Sequence, residues 1–228
     1  MTSHPLIVSY YTPSYKAHAD ELRRSIDKLE LEHRIEPRES TGKWIENCAR
    51  KAVFIQEMRQ ATRRPVLWID ADAILRRPLY ELIGSTADLA AVKRDGWSFM
   101  GGQVYFGTGP AADFIMDRWC SISREYPHIF DQVALGYAWW EAVLEMNVKV
   151  EWLPERLFKK MSRNPVKRFL QMRFSRAVIL HKQASRQSAT KPLHKSFSNW
   201  DLPHWWREAA ARNAPFPITP DLKAELGL

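Results

Sequence analysis

Pro65-Val66-Leu67-Trp68-Ile69-Asp70-Ala71-Asp72 is the stretch that decides how this chain folds. Its apolar part, Val66 to Ile69, is too short for a buried helix and is typical of a strand covered on both faces, as in a parallel sheet. Two carboxylates, Asp70 and Asp72, follow the strand directly. Ligands in open α/β sheets bind beyond the carboxyl ends of strands, so the stretch predicts a site as well as a strand.

Asp70 and Asp72 suggest a metal or phosphate site. Two carboxylates at such an edge can hold a hard divalent cation, and that cation can bind a phosphate. Without a cation, a proton or several donors, a buried carboxylate pair is costly. The simpler alternative is that Asp72 only caps a following turn and that Asp70 is a solvated strand end.

The segments on both sides of this strand predict an alternating α/β order. Before it we expect strands at Leu6–Tyr11 and His33–Glu36, with helices at Tyr15–Leu31 and from Ser40 or Thr41 to Ala61. After it we expect helices at Pro78–Leu82, Pro110–Tyr126 and Phe130–Leu144, and strands at Asp88–Val92, Gly101–Gly107, Val148–Leu153 and Ala177–Leu180. Strand–helix–strand order implies right-handed crossovers, and hence a mostly parallel sheet flanked by helices.

Length, cysteine content and hydropathy narrow the class of protein. The 228 residues, 45% of them hydrophobic, fit one large α/β domain. Two cysteines make no disulfide framework, which favours a reducing compartment. No apolar run is long enough to span a bilayer, and the first residues lack the pattern of a signal peptide. We therefore expect a cytoplasmic protein without a transmembrane segment.

The positive charge is concentrated in one segment, residues 156–195. The chain carries 34 Lys or Arg against 26 Asp or Glu, but this segment holds twelve basic residues and no acidic one. The rest of the chain is therefore net negative, and the segment is suited to a polyanion or an anionic surface. We divide the chain into a domain at residues 1–186 and a basic, aromatic C-terminal appendage at residues 187–228.

Several motifs together resemble the metal-dependent nucleotide-diphospho-sugar transferases of the GT-A fold, a Rossmann-like α/β architecture. The resemblance covers roughly residues 6–186, and its most specific parts are Asp70-Ala71-Asp72 and Asp131-Gln132. The residues that carry it are Val8–Thr12, Lys51 with Phe54, Leu67–Ala73, Gly101–Phe106, Phe130–Leu135 and His181.

The resemblance implies a role for each matching residue. It makes Asp70, Asp72 and His181 ligands of Mn²⁺ or Mg²⁺, the ion that holds the diphosphate of a sugar nucleotide. The donor would also be contacted by Tyr10, Tyr11, Thr12, Lys51, Ala71 and Gly102. Lys182 or Arg186 would add positive charge near the leaving diphosphate, and Asp131, Gln132 and Gln103 would lie at the reacting sugar. Asp131 would be the general base if the reaction inverts the anomeric centre and would orient the sugar if it retains.

The acceptor remains open between two classes. The basic segment, with interleaved phenylalanines and later Trp200, Trp205 and Trp206, favours DNA and in particular a hydroxymethylated base of viral DNA. The alternative is a saccharide or lipid-linked glycan at an anionic membrane surface. Two further functions of other classes stay possible: a haloacid-dehalogenase-like phosphatase with Asp70 and Asp72 in its nucleophile loop, and a non-catalytic nucleic-acid-binding module.

Overall fold

The computed structural model describes residues 4–93, 99–125, 127, 131–182 and 184. Its strands are β1 Leu6–Tyr11, β2 His33–Pro37, β3 Val66–Ile69, β4 Ala73–Leu75, β5 Leu89–Lys93, β6 Phe99–Phe106, β7 Val150–Trp152, β8 Phe158–Lys160 and β9 Ile179–His181. Its α-helices are α1 Lys16–Asp27, α2 Trp44–Thr62, α3 Pro110–Glu125, α4 Asp131–Glu145 and α5 Pro165–Phe174. Short 3₁₀ turns lie at Pro13–Tyr15, Tyr80–Leu82 and Glu155–Leu157.

Six strands form a central sheet in the order β2-β1-β3-β6-β5-β7. Strand β1 is parallel to β2 and β3, and β5 is parallel to β7. Strand β6 runs the other way and pairs antiparallel with both β3 and β5. The prediction of a mostly parallel sheet flanked by helices is confirmed. The reversal has one consequence, which is that the beginning of β6 lies at the edge where the parallel strands end.

Strand β3 is buried on both faces, as its uninterrupted apolar sequence predicts. Val66 and Trp68 pack into one core with residues of α2, α3 and α4. Leu67 and Ile69 pack into a second core with residues of α1 and of the later strands. Full burial of an aliphatic side chain of this size contributes about 1.5–3 kcal/mol. The two cores therefore fix the position at which β3 ends and Asp70 begins.

A second, three-stranded sheet with the order β4-β9-β8 was not predicted. Strand β4 begins directly after Asp72 and pairs antiparallel with β9, so that Ala73 lies opposite His181. The amide of Lys182 then donates to the carbonyl of Asp72 at 3.0 Å. This small sheet brings the late histidine beside the acidic pair. Strands of three residues show no alternation long enough to be recognised in a sequence.

Several predicted boundaries were wrong, for local reasons. The first helix ends at Asp27 instead of Leu31, and the backbone reverses at Glu30, which has a φ of +54°. Helix α2 begins at Trp44 without a side-chain cap, because the Thr41 hydroxyl donates to the carbonyl of Lys43 instead. The helix expected at Pro78–Leu82 is only the 3₁₀ turn Tyr80–Leu82.

The division of the chain at residue 186 stays a prediction, because residues 187–228 lie outside the described part. In the described ranges, no helix combines the length and apolar character needed to cross a bilayer. Neither Cys48 nor Cys120 forms a disulfide bond.

We predict that Gly107→Ala destabilises the protein. A Cβ at Gly107, just after β6, would lie far inside van der Waals contact of the Ala87 carbonyl oxygen, which is backbone and cannot swing away. Overpacking of this kind costs about 1–3 kcal/mol, to be measured by urea unfolding. Gly42→Ala is the comparison: it meets no atom within 4 Å but has a φ of +84°. Its cost should be about 1 kcal/mol, from backbone strain alone. Unchanged stability of Gly107→Ala would contradict the packing.

Candidate functional site

A cleft of about 380 Å³ opens where β1 and β3 end and β6 begins. The first half of α2 and the first turn of α4 complete its walls. Ten of the residues predicted from the sequence line this cleft: Tyr10, Tyr11, Thr12, Lys51, Asp70, Ala71, Asp72, Gly102, Asp131 and Gln132. The structure therefore brings together side chains from five separate parts of the chain.

Asp70, Asp72 and His181 form a cluster that could hold a metal ion. One ligand atom from each residue lies within 4.8 Å of the ligand atoms of the other two. Asp72 and His181 are buried, and Asp70 is partly exposed at the cleft. Two carboxylates and an imidazole form a mixed oxygen and nitrogen set, which suits Mn²⁺ better than Mg²⁺ because imidazole is the softer ligand. The residues present thus fit the predicted cation.

Each of these three side chains is held by a second residue. The Trp68 indole N–H donates to Oδ1 of Asp70 at 2.8 Å. The Ala184 amide donates to Oδ2 of Asp72 at 2.7 Å. Each carboxylate has another oxygen to offer, and contacts of this kind fix the orientation of metal ligands. Trp68 was treated from the sequence only as a core residue of β3.

Gln103 orients the His181 ring through a side-chain hydrogen bond. Its side-chain oxygen lies 2.7 Å from Nε2 of His181, and both side chains are buried. An amide oxygen can only accept, so the ring proton is on Nε2 and the lone pair of Nδ1 is available as a ligand. Gln103 does not line the cleft, and its side-chain oxygen contacts the histidine instead. Its predicted place at the reacting sugar stays a prediction.

Burial sets the protonation of this cluster. Burial lowers the pKa of His181, although the nearby Asp70 and Asp72 carboxylates act to raise it. The imidazole is therefore neutral, which is the form that binds metals. Burial and the neighbouring Asp70 carboxylate raise the pKa of Asp72. A nearby cation lowers the free-energy cost of ionising such a carboxylate. The electrostatics therefore match a cation site.

Two glycines at the start of β6 make room for the cluster. A Cβ on Gly102 would lie 2.6 Å from Cε1 of His181, inside the ring's own volume. A Cβ on Gly101 would lie 3.2 Å from Oδ2 of Asp131. The amide of Asp70 also donates to the carbonyl of Gly102 at 2.8 Å. The pairing of β6 with β5 is also irregular at these glycines, with a register shift between Ala91 and Lys93. The glycines therefore accompany both a close approach of His181 and an irregular strand pairing.

Lys51 is a buried ammonium with three acceptors for its three N–H bonds. Its Nζ lies 2.5 Å from Oδ2 of Asp131 and 3.1 Å from Oδ1 of Asp70, and it donates to the carbonyl of Gly101 at 2.8 Å. Burial alone would lower its pKa, but the two carboxylates outweigh burial and raise it. The Trp68 ring lies beneath the ammonium, 5.2 Å from its centroid. Lys51 therefore ties α2, β3, β6 and α4 together.

One predicted residue, Lys182, lies outside this cleft. The ammonium of Lys182 pairs with Glu21 and lines a second cleft, of about 750 Å³, beside the first. Half-burial lowers its pKa. Arg186 lies outside the described residues. The predicted contact of either residue with a diphosphate stays a prediction.

Besides Trp68, four polar or aromatic residues of the cleft were not predicted from the sequence: Tyr15, Trp44, Asn47 and Cys48. The last three precede Lys51 on α2 by seven, four and three residues, so they share its helix face. The position of Lys51 alone would have identified them. The hydroxyl of Tyr10 donates to the carbonyl of Asn47 and joins β1 to this face.

Comparison with solved structures identifies the fold. A glycosyltransferase involved in glycosylation of the major capsid of PBCV-1 superposes with a TM-score of 0.59 at 14% identity, covering 79% of this chain and 93% of its own. GlyE of Streptococcus pneumoniae TIGR4 gives 0.54 at 15% identity, covering 90% of this chain and 60% of its own. The bifunctional glycosyltransferase WbbM gives 0.51 at 12%, covering 80% and 46%.

No protein-family model matches the sequence, and no curated protein matches it. The structural neighbours are GT-A-type glycosyltransferases, so the fold expected from the sequence is confirmed. At these identities the likeness establishes the GT-A fold alone.

We predict that Gly102→Ala strongly weakens cation binding with little loss of the fold. The added methyl displaces the His181 ring, and losing one of three ligands weakens affinity about 10–100-fold or more. The measurement is the rise in melting temperature on addition of MnCl₂. Gly101→Ala is the control, because its nearest contact is a side-chain oxygen at 3.2 Å, and it should keep most of the Mn²⁺ effect. An undiminished Mn²⁺ effect in Gly102→Ala would contradict the role of His181.

We predict that Lys51→Met lowers the free energy of unfolding by about 3–5 kcal/mol, because it leaves the buried Asp131 carboxylate without its cation. Urea unfolding measures the loss. Lys43→Met is the matched control on an exposed pair, since Lys43 is 65% exposed, and it should change little. Restoring part of the loss with Lys51→Met/Asp131→Leu would assign it to the stranded charge. A Lys51→Met protein as stable as the parent would refute the assignment.

Proposed function

We propose that the protein is a metal-dependent glycosyltransferase that moves a sugar from a nucleotide-diphosphate sugar to an acceptor hydroxyl. The observation that carries the proposal is the cluster of Asp70, Asp72 and His181 at the edge of a GT-A sheet, with one ligand atom of each within 4.8 Å. The GT-A fold of its structural neighbours supports it. Either Mn²⁺ or Mg²⁺ would serve, and the donor set favours Mn²⁺.

The bond that breaks joins the anomeric carbon to the diphosphate, so negative charge develops on the leaving group. A cation bound by Asp70, Asp72 and His181 would stabilise that charge as a Lewis acid. Trp68, Ala184 and Gln103 keep the three ligands oriented before the donor arrives. Such preorganisation avoids rearrangement during the reaction.

The remaining walls of the cleft supply the donor contacts. We propose that the nucleoside lies against the end of β1, where Tyr10, Tyr11 and Thr12 line the cleft, with Trp44 opposite. Ala71 and Gly102 then flank the diphosphate. The small side chains at these two positions leave room for it, while Lys182 and Arg186 remain candidates for additional positive charge.

Asp131 and Gln132 line the cleft at the start of α4, and we assign them to the sugar. Oδ2 of Asp131 is occupied by the Lys51 ammonium at 2.5 Å. This contact favours the role in which Asp131 orients the sugar over the role of general base. Lys51 itself has its three donors engaged, so we propose that it positions Asp70 and Asp131 instead of binding a phosphate.

The acceptor remains a choice between a hydroxymethylated base of DNA and a saccharide or lipid-linked glycan at a membrane surface. Nine basic residues of the segment lie in its described part, residues 156–182, and eight of them are exposed. This distribution supports an anionic partner of either class. Helix α5, whose exposed face is apolar, favours the membrane over DNA.

Two functions of other classes have weaker support. A haloacid-dehalogenase-like phosphatase normally carries its nucleophile after the first strand, whereas Asp70 follows β3 and the neighbours are glycosyltransferases. A non-catalytic nucleic-acid-binding module does not explain the cluster of Asp70, Asp72 and His181. Turnover of a simple phosphate ester would favour the first, and DNA binding without sugar-nucleotide turnover would favour the second.

We predict that Asp72→Asn lowers sugar-nucleotide hydrolysis and transfer by at least about 100-fold, because a neutral amide is a poor ligand for a hard cation. The donor for the assay is the nucleotide sugar that most raises the melting temperature in the presence of Mn²⁺. Asp27→Asn, an exposed aspartate on α1 that does not line the cleft, is the control and should keep full turnover. Full turnover by Asp72→Asn would reject the proposal.

A further inference from the structure

Helix α5, Pro165–Phe174, differs from the other helices in that none of its residues is buried. Seven large hydrophobic side chains are exposed in the described part of the chain, and five of them belong to this one helix: Val166, Phe169, Leu170, Met172 and Phe174. Single exposed apolar residues are ordinary, but a contiguous group marks an interaction site.

The apolar side of α5 points away from the protein. Gln171 defines the inner side, because its side chain accepts from the amide of Ser162 at 2.7 Å and donates to the carbonyl of Lys160 at 3.2 Å. At about 100° per residue, Val166 and Phe169 lie on the opposite side of the helix, about 140° and 160° from Gln171, and Leu170 lies beside them. Amphipathic helices of soluble domains normally turn this face toward the core.

The helix is held firmly in this inverted orientation. Asn164 caps it by accepting from the amide of Lys167 at 3.0 Å, and Pro165 occupies its first turn. The guanidinium of Arg76 donates to the carbonyl of Met172 at 3.0 Å, and that of Arg77 donates to the carbonyl of Arg176 at 2.7 Å. The exposed apolar face is therefore built into the fold by contacts on its other side.

The charges that this segment itself places around the face are all positive. Lys167 and Arg168 lie at its two margins, Arg173 lies within it on the last turn, and exposed Arg163 and Arg176 lie at the two ends of the helix. Residues 156–195 contain no carboxylate that would offset them. An apolar face with lysine and arginine at its margins is the pattern of a helix that lies in the interface of an anionic bilayer.

We propose that α5 docks this protein onto an anionic lipid bilayer, with Val166, Phe169 and Leu170 entering the apolar boundary and the flanking basic side chains contacting lipid phosphates. A nucleic acid fits the face less well. Phe169 and Phe174 could stack on bases, but Val166 and Leu170 have no ring to do so, and aliphatic side chains offer no partner to phosphates. The inference goes beyond the proposed sugar transfer and does not depend on it, because its readout is binding alone.

The test is co-sedimentation of the full chain with vesicles of phosphatidylcholine, alone or with 30% phosphatidylglycerol. We expect binding to the anionic vesicles, weak binding to the neutral ones, and weakening by 0.5 M NaCl. Val166→Ser/Phe169→Ser should reduce the apparent affinity for anionic vesicles at least tenfold. Leu144→Ser is the matched control, since Leu144 is as exposed, at 62%, but lies on α4, and it should bind like the parent.

Three results would overturn the proposal. The first is equal vesicle binding by the double variant and the parent. The second is a dimer of the parent that the double variant converts to a monomer, which would show that a second copy covers the face. The third is salt-sensitive binding to duplex DNA that the double variant loses while vesicle binding is absent. Each is measured on folded protein, because the substituted side chains are at least 66% exposed.

Discussion

The Lys51 ammonium is the one buried charge on which the geometry of the cleft depends. It touches a carboxylate on each of two elements and a backbone carbonyl on a third, while its own helix contributes much of the cleft wall. A lone ammonium in that position would be several kcal/mol too costly to bury, and so would the Asp131 carboxylate. The three groups are stable only together. Their mutual attraction therefore fixes how α2, β3, β6 and α4 meet, and it sets Asp70 at the mouth of the cation site.

The same constraint explains why the site can be ready before any ligand binds. Lys51 and Trp68 both contact Oδ1 of Asp70, which leaves Oδ2 for a cation. His181 is fixed by Gln103 and fits against a residue without a side chain, Gly102. Each ligand thus has a dedicated support in the surrounding fold. A site of this kind spends little binding energy on ordering itself, and the donor's diphosphate meets oriented ligands.

Part of this architecture was predictable from the sequence, because helices and the longer strands leave a recognisable pattern of apolar residues. The four apolar residues of β3 predicted both the strand and the position of Asp70 and Asp72 at its end. The grouping of Asp70, Asp72 and His181 followed from the resemblance to the GT-A transferases. The route by which His181 reaches these two aspartates did not follow, because β4, β8 and β9 are three residues long and β6 is reversed. The partners of Lys51 could not be predicted either, since no spacing in a sequence encodes a salt bridge between distant elements.

The basic segment, residues 156–195, was recognised by its composition, which favoured DNA. Only the orientation of α5, apolar side outward, distinguishes a bilayer from a nucleic acid.

The central claim is that Asp70, Asp72 and His181 together bind a divalent cation that holds a nucleoside diphosphate. The most direct measurement is a crystal structure with MnCl₂ and the nucleoside diphosphate of the stabilising donor, with anomalous scattering recorded for manganese. The account predicts one strong anomalous peak, with a carboxylate oxygen of each aspartate, a ring nitrogen of the histidine and diphosphate oxygens as its ligands. A well-ordered nucleotide in the cleft with no such peak, or with these three side chains directed to separate places, would contradict it.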